Sequence, residues 1–253
     1  MRNRLRENLK QSGYADQVSL PQAAIGIGRM AIETAGLWRT PDSIALERIK
    51  IVEGWDCVLT AKDQGRGVLL LTPHMGTFEI ASIYIGAQMP LTVMFRAPRV
   101  AWAEQMMRAG RDRLQIRSQP AEMSGVRAML KALRRGEAIG LLPDQVPDPG
   151  RGGEGVWSLF FGRLAYTVTL VQKFAKTTRA LVVMVACTRL ANAQGYRLTF
   201  SPLDPFSNDP ETAARELNAA VETAIALAPD QYLWSYNRYK VPGGLTPPGD
   251  TTP

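Results

Sequence analysis

Histidine, cysteine and long apolar runs are what this chain of 253 residues has least of, and each scarcity removes a class of function. One histidine and two cysteines, Cys57 and Cys187, far apart and without CxxC spacing, supply neither a zinc site of the usual kind nor a disulfide framework. The longest apolar stretches, Val68 to Leu71 and Ala180 to Cys187, fall well short of the roughly 20 residues that span a bilayer. The charged opening MRNRLRENLK leads into no apolar h-region, so a secretory signal is not supported; the default compartment is the cytosol or its membrane face. No Walker loop is present, and Gly26-Ile-Gly28 sits inside a helical pattern without the later glycine, so no nucleotide cofactor is indicated. Serine-hydrolase chemistry lacks its Gly-x-Ser-x-Gly elbow.

What the chain does have is core. With 45% hydrophobic residues it can bury a large interior, which excludes a disordered or collagen-like chain. Its formal charge of +7 favours an anionic partner, and nucleic acid, anionic phospholipid and an acidic protein all satisfy that sign, as does a merely solvated basic face. Short apolar runs alternate with segments of helical period, the pattern of an α/β fold with a central, mostly parallel or mixed sheet flanked by helices. Val68 to Thr72, Leu91 to Phe95, Ala138 to Leu142, Leu181 to Cys187 and Arg197 to Phe200 read as strands, the first four apolar enough to be covered on both faces. Ser124 is read as the cap of a helix with Val126, Met129, Leu130 and Leu133 on one stripe, Arg127, Lys131, Arg134 and Arg135 outward, and Gly136 at its end. Asp209-Pro210 starts another, whose Leu217, Ala220, Val221, Ala224 and Leu227 keep the period up to Pro229. Ile25 to Leu37 and Ile44 to Val52 have helical spacing, giving residues 1–60 as a helical preamble to a single domain over 1–241. Residues 242–253, rich in Pro, Gly and Thr, are expected to be a disordered tail.

One segment carries candidate chemistry. Gly67 to Glu79 runs a buried strand through a Pro-His-x-Gly turn into a helix expected to be capped by Thr77, which puts His74 at the carboxyl end of a strand, where open α/β sheets place their sites. Glu79 lies five positions on. In an unbroken helix the two side chains would point roughly 140° apart, so they meet only if His74 lies in the turn and Glu79 in the first helical turn. Gly76 permits that turn. The carboxylate then holds one imidazole nitrogen protonated and leaves the other to take a proton from a hydroxyl or water, a general-base pair. The alternatives stay open: a structural histidine, and a Glu79 that only complements a helix N-terminus.

His74-Met-Gly-Thr-Phe-Glu79 matches the H-x4-D/E signature of the glycerolipid and lysophospholipid acyltransferases. Met94-Phe-Arg96-Ala-Pro98, Arg111-Asp-Arg113, Gly140-Leu-Leu-Pro-Asp144-Gln145, Phe160-Phe-Gly-Arg163-Leu-Ala-Tyr-Thr167 and Gln231 to Lys240 follow in order. In these blocks, from about residue 4 to 240, the chain resembles the bacterial lipid A biosynthesis acyltransferases, the late lauroyl and myristoyl transferases. The resemblance implies a glycerolipid-acyltransferase-like fold and transfer of a fatty acyl group from acyl carrier protein, or acyl-CoA, to a hydroxyl of a membrane glycolipid, most directly a lipid A precursor. It implies His74 as base and Glu79 as its orienting carboxylate. Arg96, Arg111, Asp144, Gln145, Phe161, Gly162 and Arg163 are then substrate-binding residues, with no metal and no bound cofactor. The Phe160-Phe161-Gly162 run reads equally as core packing or as the lining of an apolar slot.

The implied partners are acyl carrier protein, the glycolipid acceptor and an anionic membrane surface rather than nucleic acid, and the implied place is the cytoplasmic face of the inner membrane, held peripherally. Trp38, Trp55 and Trp102 are candidate interfacial contacts. The chain departs from the family pattern twice: no membrane-anchoring helix precedes Arg4, so the anchor is absent or truncated, and Tyr236 stands where the closing motif commonly has histidine. Two rivals remain: an acyltransferase for another lipid, such as a phosphatidylinositol mannoside, and a non-catalytic basic module for lipid or nucleic acid.

Overall fold

Alternate residues of the most buried strand face two different cores, and that alternation organises the molecule. A computed structural model describes residues 2–95 and 101–249. Its helices are α1 (Arg2–Gln11), α2 (Leu20–Leu37), α3 (Asp42–Glu47), α4 (Asp56–Asp63), α5 (Glu79–Gln88), α6 (Ala101–Arg111), α7 (Met123–Arg134), α8 (Leu170–Thr178) and α9 (Pro210–Ala226). Its strands are β1 (Ile49–Glu53), β2 (Val68–Leu71), β3 (Leu91–Phe95), β4 (Ile116–Pro120), β5 (Ala138–Leu141), β6 (Gly155–Phe160), β7 (Arg163–Val168), β8 (Leu181–Arg189) and β9 (Tyr196–Pro202). Seven strands form one sheet in the order β1-β9-β8-β2-β5-β3-β4, with β8 and β9 antiparallel and the other neighbours parallel; β6 and β7 pair as a separate hairpin.

Every residue of β2 is buried, as its continuous apolar run requires. Leu69 and Leu71 pack with Leu5 and Leu9 of α1, Met129 and Leu133 of α7, Phe174 of α8 and Leu217 and Val221 of α9. Val68 and Leu70 point the other way, onto Leu37, Ala45, Val58, Ile80 and Ile83 from α2 to α5. Each such side chain contributes roughly 1.5–3 kcal/mol by leaving water. α7 has the expected stripe, with Met129 and Leu133 buried and Arg127, Lys131 and Arg134 exposed, and the left-handed Gly136 follows its end. At α9 the Asp209 carboxylate accepts from the Thr212 N–H at 2.8 Å and Pro210 opens the helix.

Local expectations differ from the structure in four places. Ile44 to Val52 is not one helix: α3 stops at Glu47, and the β-branched Ile49, Ile51 and Val52 join β1, parallel to β9. Glu122, not Ser124, precedes α7, and no side chain caps it. Thr77 does not cap α5, because its hydroxyl donates instead to Glu33 of α2. Trp38 and Trp55 are interior contacts rather than interfacial ones: Trp38 donates to Glu79, and Trp55 packs edge-on to Tyr84 and Phe200. Residues 242–249 form turns with no helix or strand.

Candidate active site

Parallel register brings the key side chains together. Leu71 of β2 is paired with Leu141 of β5. His74 lies three residues beyond the first and Asp144 three beyond the second, so the two strands deliver them side by side at the carboxyl edge of the sheet. Asp144 Oδ1 is 2.8 Å from His74 Nδ1, and its Oδ2 accepts the His74 backbone N–H at 2.9 Å. The carboxylate is 2% exposed and the imidazole 18%. Burial alone would raise the Asp144 carboxyl, but the charge and hydrogen bonds of His74 outweigh it and hold Asp144 below its ordinary value. A proton on Nδ1 is thereby fixed, and Nε2 is left as the reactive nitrogen, 3.2 Å from the Gln145 amide nitrogen.

The turn that holds His74 is clamped on its far side. Gly76 has φ +53°, and a Cβ there would come within 1.8 Å of the Cys187 carbonyl oxygen, so only glycine fits. The Gly76 N–H donates to Gln231 O at 2.9 Å, Leu233 N–H donates to His74 O at 3.0 Å, and Arg189 Nη2 donates to Gly76 O at 2.8 Å. The C-terminal block is therefore part of the frame of the site.

His74 opens into a cavity of about 470 Å³ walled by Phe78, Phe95, Val126, Leu141 and Val171, with Arg111 and Lys240 as its basic residues. A mostly apolar hollow with a few convergent polar groups is the usual form of a small-ligand site. Glu79, expected to hold the imidazole, does not: its Oε1 takes Arg111 Nε at 2.5 Å and Trp38 Nε1 at 3.0 Å, and its Oε2 takes Arg111 Nη2 at 2.8 Å. The physical reason is the left-handed turn at Gly76 followed by α5, which sends Glu79 into the opposite core while Asp144 arrives from the neighbouring strand. The buried, bidentate Glu79 instead fixes Arg111 in the cavity wall.

Asp144 and Gln145 thus meet His74, and Arg111 lines the same cavity. Phe161, Gly162 and Arg163 do not line this cavity. Phe161 and Gly162, with φ of 46° and 73°, are the two-residue turn of the β6–β7 hairpin. Phe161 packs on Tyr14 and Trp234 with ring centroids 6.0 and 5.9 Å away, and Arg163 lies 4.7 Å over the Tyr239 ring. Of the two readings open for the Phe160-Phe161-Gly162 run, the structure supports core packing. Arg96 lies outside the described residues. Sequence reasoning passed over Lys240, which joins the wall and whose only signal was membership of the closing block. Tyr236, noted in the sequence only as a departure from the family pattern, also lines the wall, and its hydroxyl accepts the Val146 N–H at 2.9 Å. Among the described residues no cluster of three or more His, Cys, Asp or Glu side chains is placed to hold a metal ion.

Against known proteins, residues 22–241 match the family model described as bacterial lipid A biosynthesis acyltransferase. The chain belongs to that family. It is similar to the lipid A biosynthesis palmitoleoyltransferase of Escherichia coli, with 30% identity over 217 residues, 85% of this chain and 69% of the relative. The E. coli lipid A biosynthesis lauroyltransferase is 30% identical over 222 residues, 86% and 69% of the two chains, and the myristoyltransferase 24% over 202 residues, 77% and 61%. Family membership agrees with the H-x4-E block, and the structure adds which carboxylate sits on the histidine.

Proposed function

We propose that this chain transfers a fatty acyl group from a thioester carrier to a hydroxyl of a lipid A precursor, with His74 as general base and Asp144 as its orienting carboxylate. The observation that carries this reading is the His74–Asp144 pair, with Nδ1 engaged and Nε2 facing an apolar cavity. In the step, Nε2 takes the acceptor's hydroxyl proton as its oxygen attacks the thioester carbonyl. The tetrahedral oxyanion then collapses, the carbon–sulfur bond breaks, and the departing thiolate takes the proton back from Nε2. Asp144 stabilises the transient imidazolium, and Arg111 with Lys240 offers positive charge to the oxyanion or to acceptor phosphates. Glu79 acts through Arg111 by holding it in place. The scheme calls for no metal and no prosthetic group.

The +7 charge suits an acidic acyl carrier protein as donor and an anionic lipid surface, a sign that CoA and nucleic acid share. No helix among the described residues is long and apolar enough to cross a membrane. Peripheral attachment to a membrane surface is supported by α2, whose outer side carries Ile25 and Ile32 at 55% and 75% exposure, and by Arg2, Arg4, Arg6 and Lys10 exposed on α1.

The test is transfer from labelled acyl carrier protein, charged with lauroyl, myristoyl or palmitoleoyl chains, to a lipid A precursor in detergent micelles. The expected result is a labelled product whose formation falls about 10²–10⁴-fold in His74→Ala. Label entering a mannosylated phospholipid in place of the lipid A precursor would reassign the acceptor. No transfer to either by a folded chain would overturn the enzyme and leave the basic binding module.

A further inference from the structure

A hollow larger than the one that holds His74 lies elsewhere in the fold. A second cavity of about 1190 Å³ lies between α8, the β6–β7 hairpin and the segment that leads into α9, and it meets the catalytic cavity only at Gly152 and Gly153. Neither His74, Asp144 nor Arg111 lines it. Its wall is apolar along Val156, Leu181, Val182, Leu203, Phe206 and Ala213. Its charged lining is unbalanced: Arg66, Lys173, Lys176 and Arg179 against Glu154 and Asp204. Lys173 is neutralised by Glu154, and the Arg66 guanidinium donates to the carbonyls of Arg179 and Ala180. Lys176 and Arg179, both exposed, have no anionic partner among the described residues.

We infer that this second cavity binds a phosphate-headed acyl amphiphile, its chain along Val182, Leu203 and Phe206 and its phosphate against Lys176 and Arg179. Two features ask for that chemistry. The apolar wall takes a hydrocarbon chain and gains by excluding water. Two unpaired cations take a phosphate rather than a neutral head. The site needs no part of the His74 chemistry, so it stands or falls separately from acyl transfer.

The experiment is isothermal titration of the full chain with dodecyl phosphate below its micellar concentration, beside inorganic phosphate and dodecyl maltoside. Saturable binding of dodecyl phosphate is expected, with neither comparator reproducing it. The double variant Lys176→Glu with Arg179→Asn, at exposed positions and with an asparagine that tolerates the left-handed φ of 54°, should weaken binding about tenfold or more. Ala175→Trp, which fills the cavity, should abolish it, while Met123→Trp at the catalytic cavity should leave it unchanged. Equal affinity for dodecyl maltoside, indifference to the double variant, or loss of binding in Met123→Trp instead of Ala175→Trp would each overturn the inference.

Discussion

The turn that follows β5 and the first turn of α5 each present a buried carboxylate to a nitrogen-bearing side chain, yet the two are built for different work. Asp144 holds an imidazole, whose charge can change during a reaction, and that imidazole opens onto a cavity. Glu79 holds a guanidinium, whose charge cannot change, and it is further pinned by the Trp38 indole. The first arrangement can move a proton; the second can only fix a positive charge in space. Carboxylates five and seventy residues along the chain from one histidine are thus sorted by the partner's chemistry and by strand register, not by sequence distance.

Removing either half of the proton-moving pair should produce the largest effects. His74→Ala should lower kcat about 10²–10⁴-fold per folded molecule and also lower the unfolding midpoint, because the buried Asp144 carboxylate loses its partner, read by initial rates and thermal melts. Asp144→Asn should follow within the same range, because the wrong tautomer then points at the cavity. It should also change the acid limb of stability. The depressed Asp144 contributes stability that is full above the ordinary aspartate value of about 3.9 and is lost as pH falls through its lower folded value. Acid unfolding followed by circular dichroism should show that loss in the wild type and not in Asp144→Asn.

On the other side of the comparison, Glu79→Gln should act first on stability. Leaving Arg111 without its carboxylate in a largely buried position costs on the order of 3–5 kcal/mol, measurable by urea titration, and Glu79→Asp should recover part of it. Smaller still is Gly162→Ala in the hairpin turn. A φ of 73° costs an L-residue about 1–2 kcal/mol, and activity per folded molecule should be kept because the turn does not line the catalytic cavity. The smallest effect is chemical: Cys187, buried with its thiol pushed up to about 12 by desolvation, should stay unlabelled by iodoacetamide at pH 8 in the native state and react only on unfolding.

Much of this frame was legible in the residues. Val-Leu-Leu-Leu before Thr-Pro-His marked a covered strand running into a turn, and the apolar stripe of α7 and the Asp-Pro start of α9 were readable by period and capping chemistry. Asp144 was readable as a strand-end carboxylate, but its pairing with His74 depends on β2 and β5 being neighbours in register, a fact of topology. Glu79 drew the stronger suspicion because it is near in sequence, where a single left-handed glycine is enough to turn it away. The β6–β7 hairpin was hidden in plain composition: two alternating runs around Phe161-Gly162, with a bulky aromatic where an Asn-Gly pair would have announced the turn. β4 was obscured by its polar edge sequence, Ile-Arg-Ser-Gln-Pro.

The most direct test of the central claim is acyl transfer from labelled acyl carrier protein to a lipid A precursor, run as kcat and unfolding midpoint side by side for Asp144→Asn and Glu79→Gln. The account predicts that Asp144→Asn loses about 10² or more in kcat per folded molecule, and that Glu79→Gln loses mainly stability and keeps most of its kcat per folded molecule. A folded Glu79→Gln chain that is inert, beside an Asp144→Asn chain that turns over normally, would contradict it.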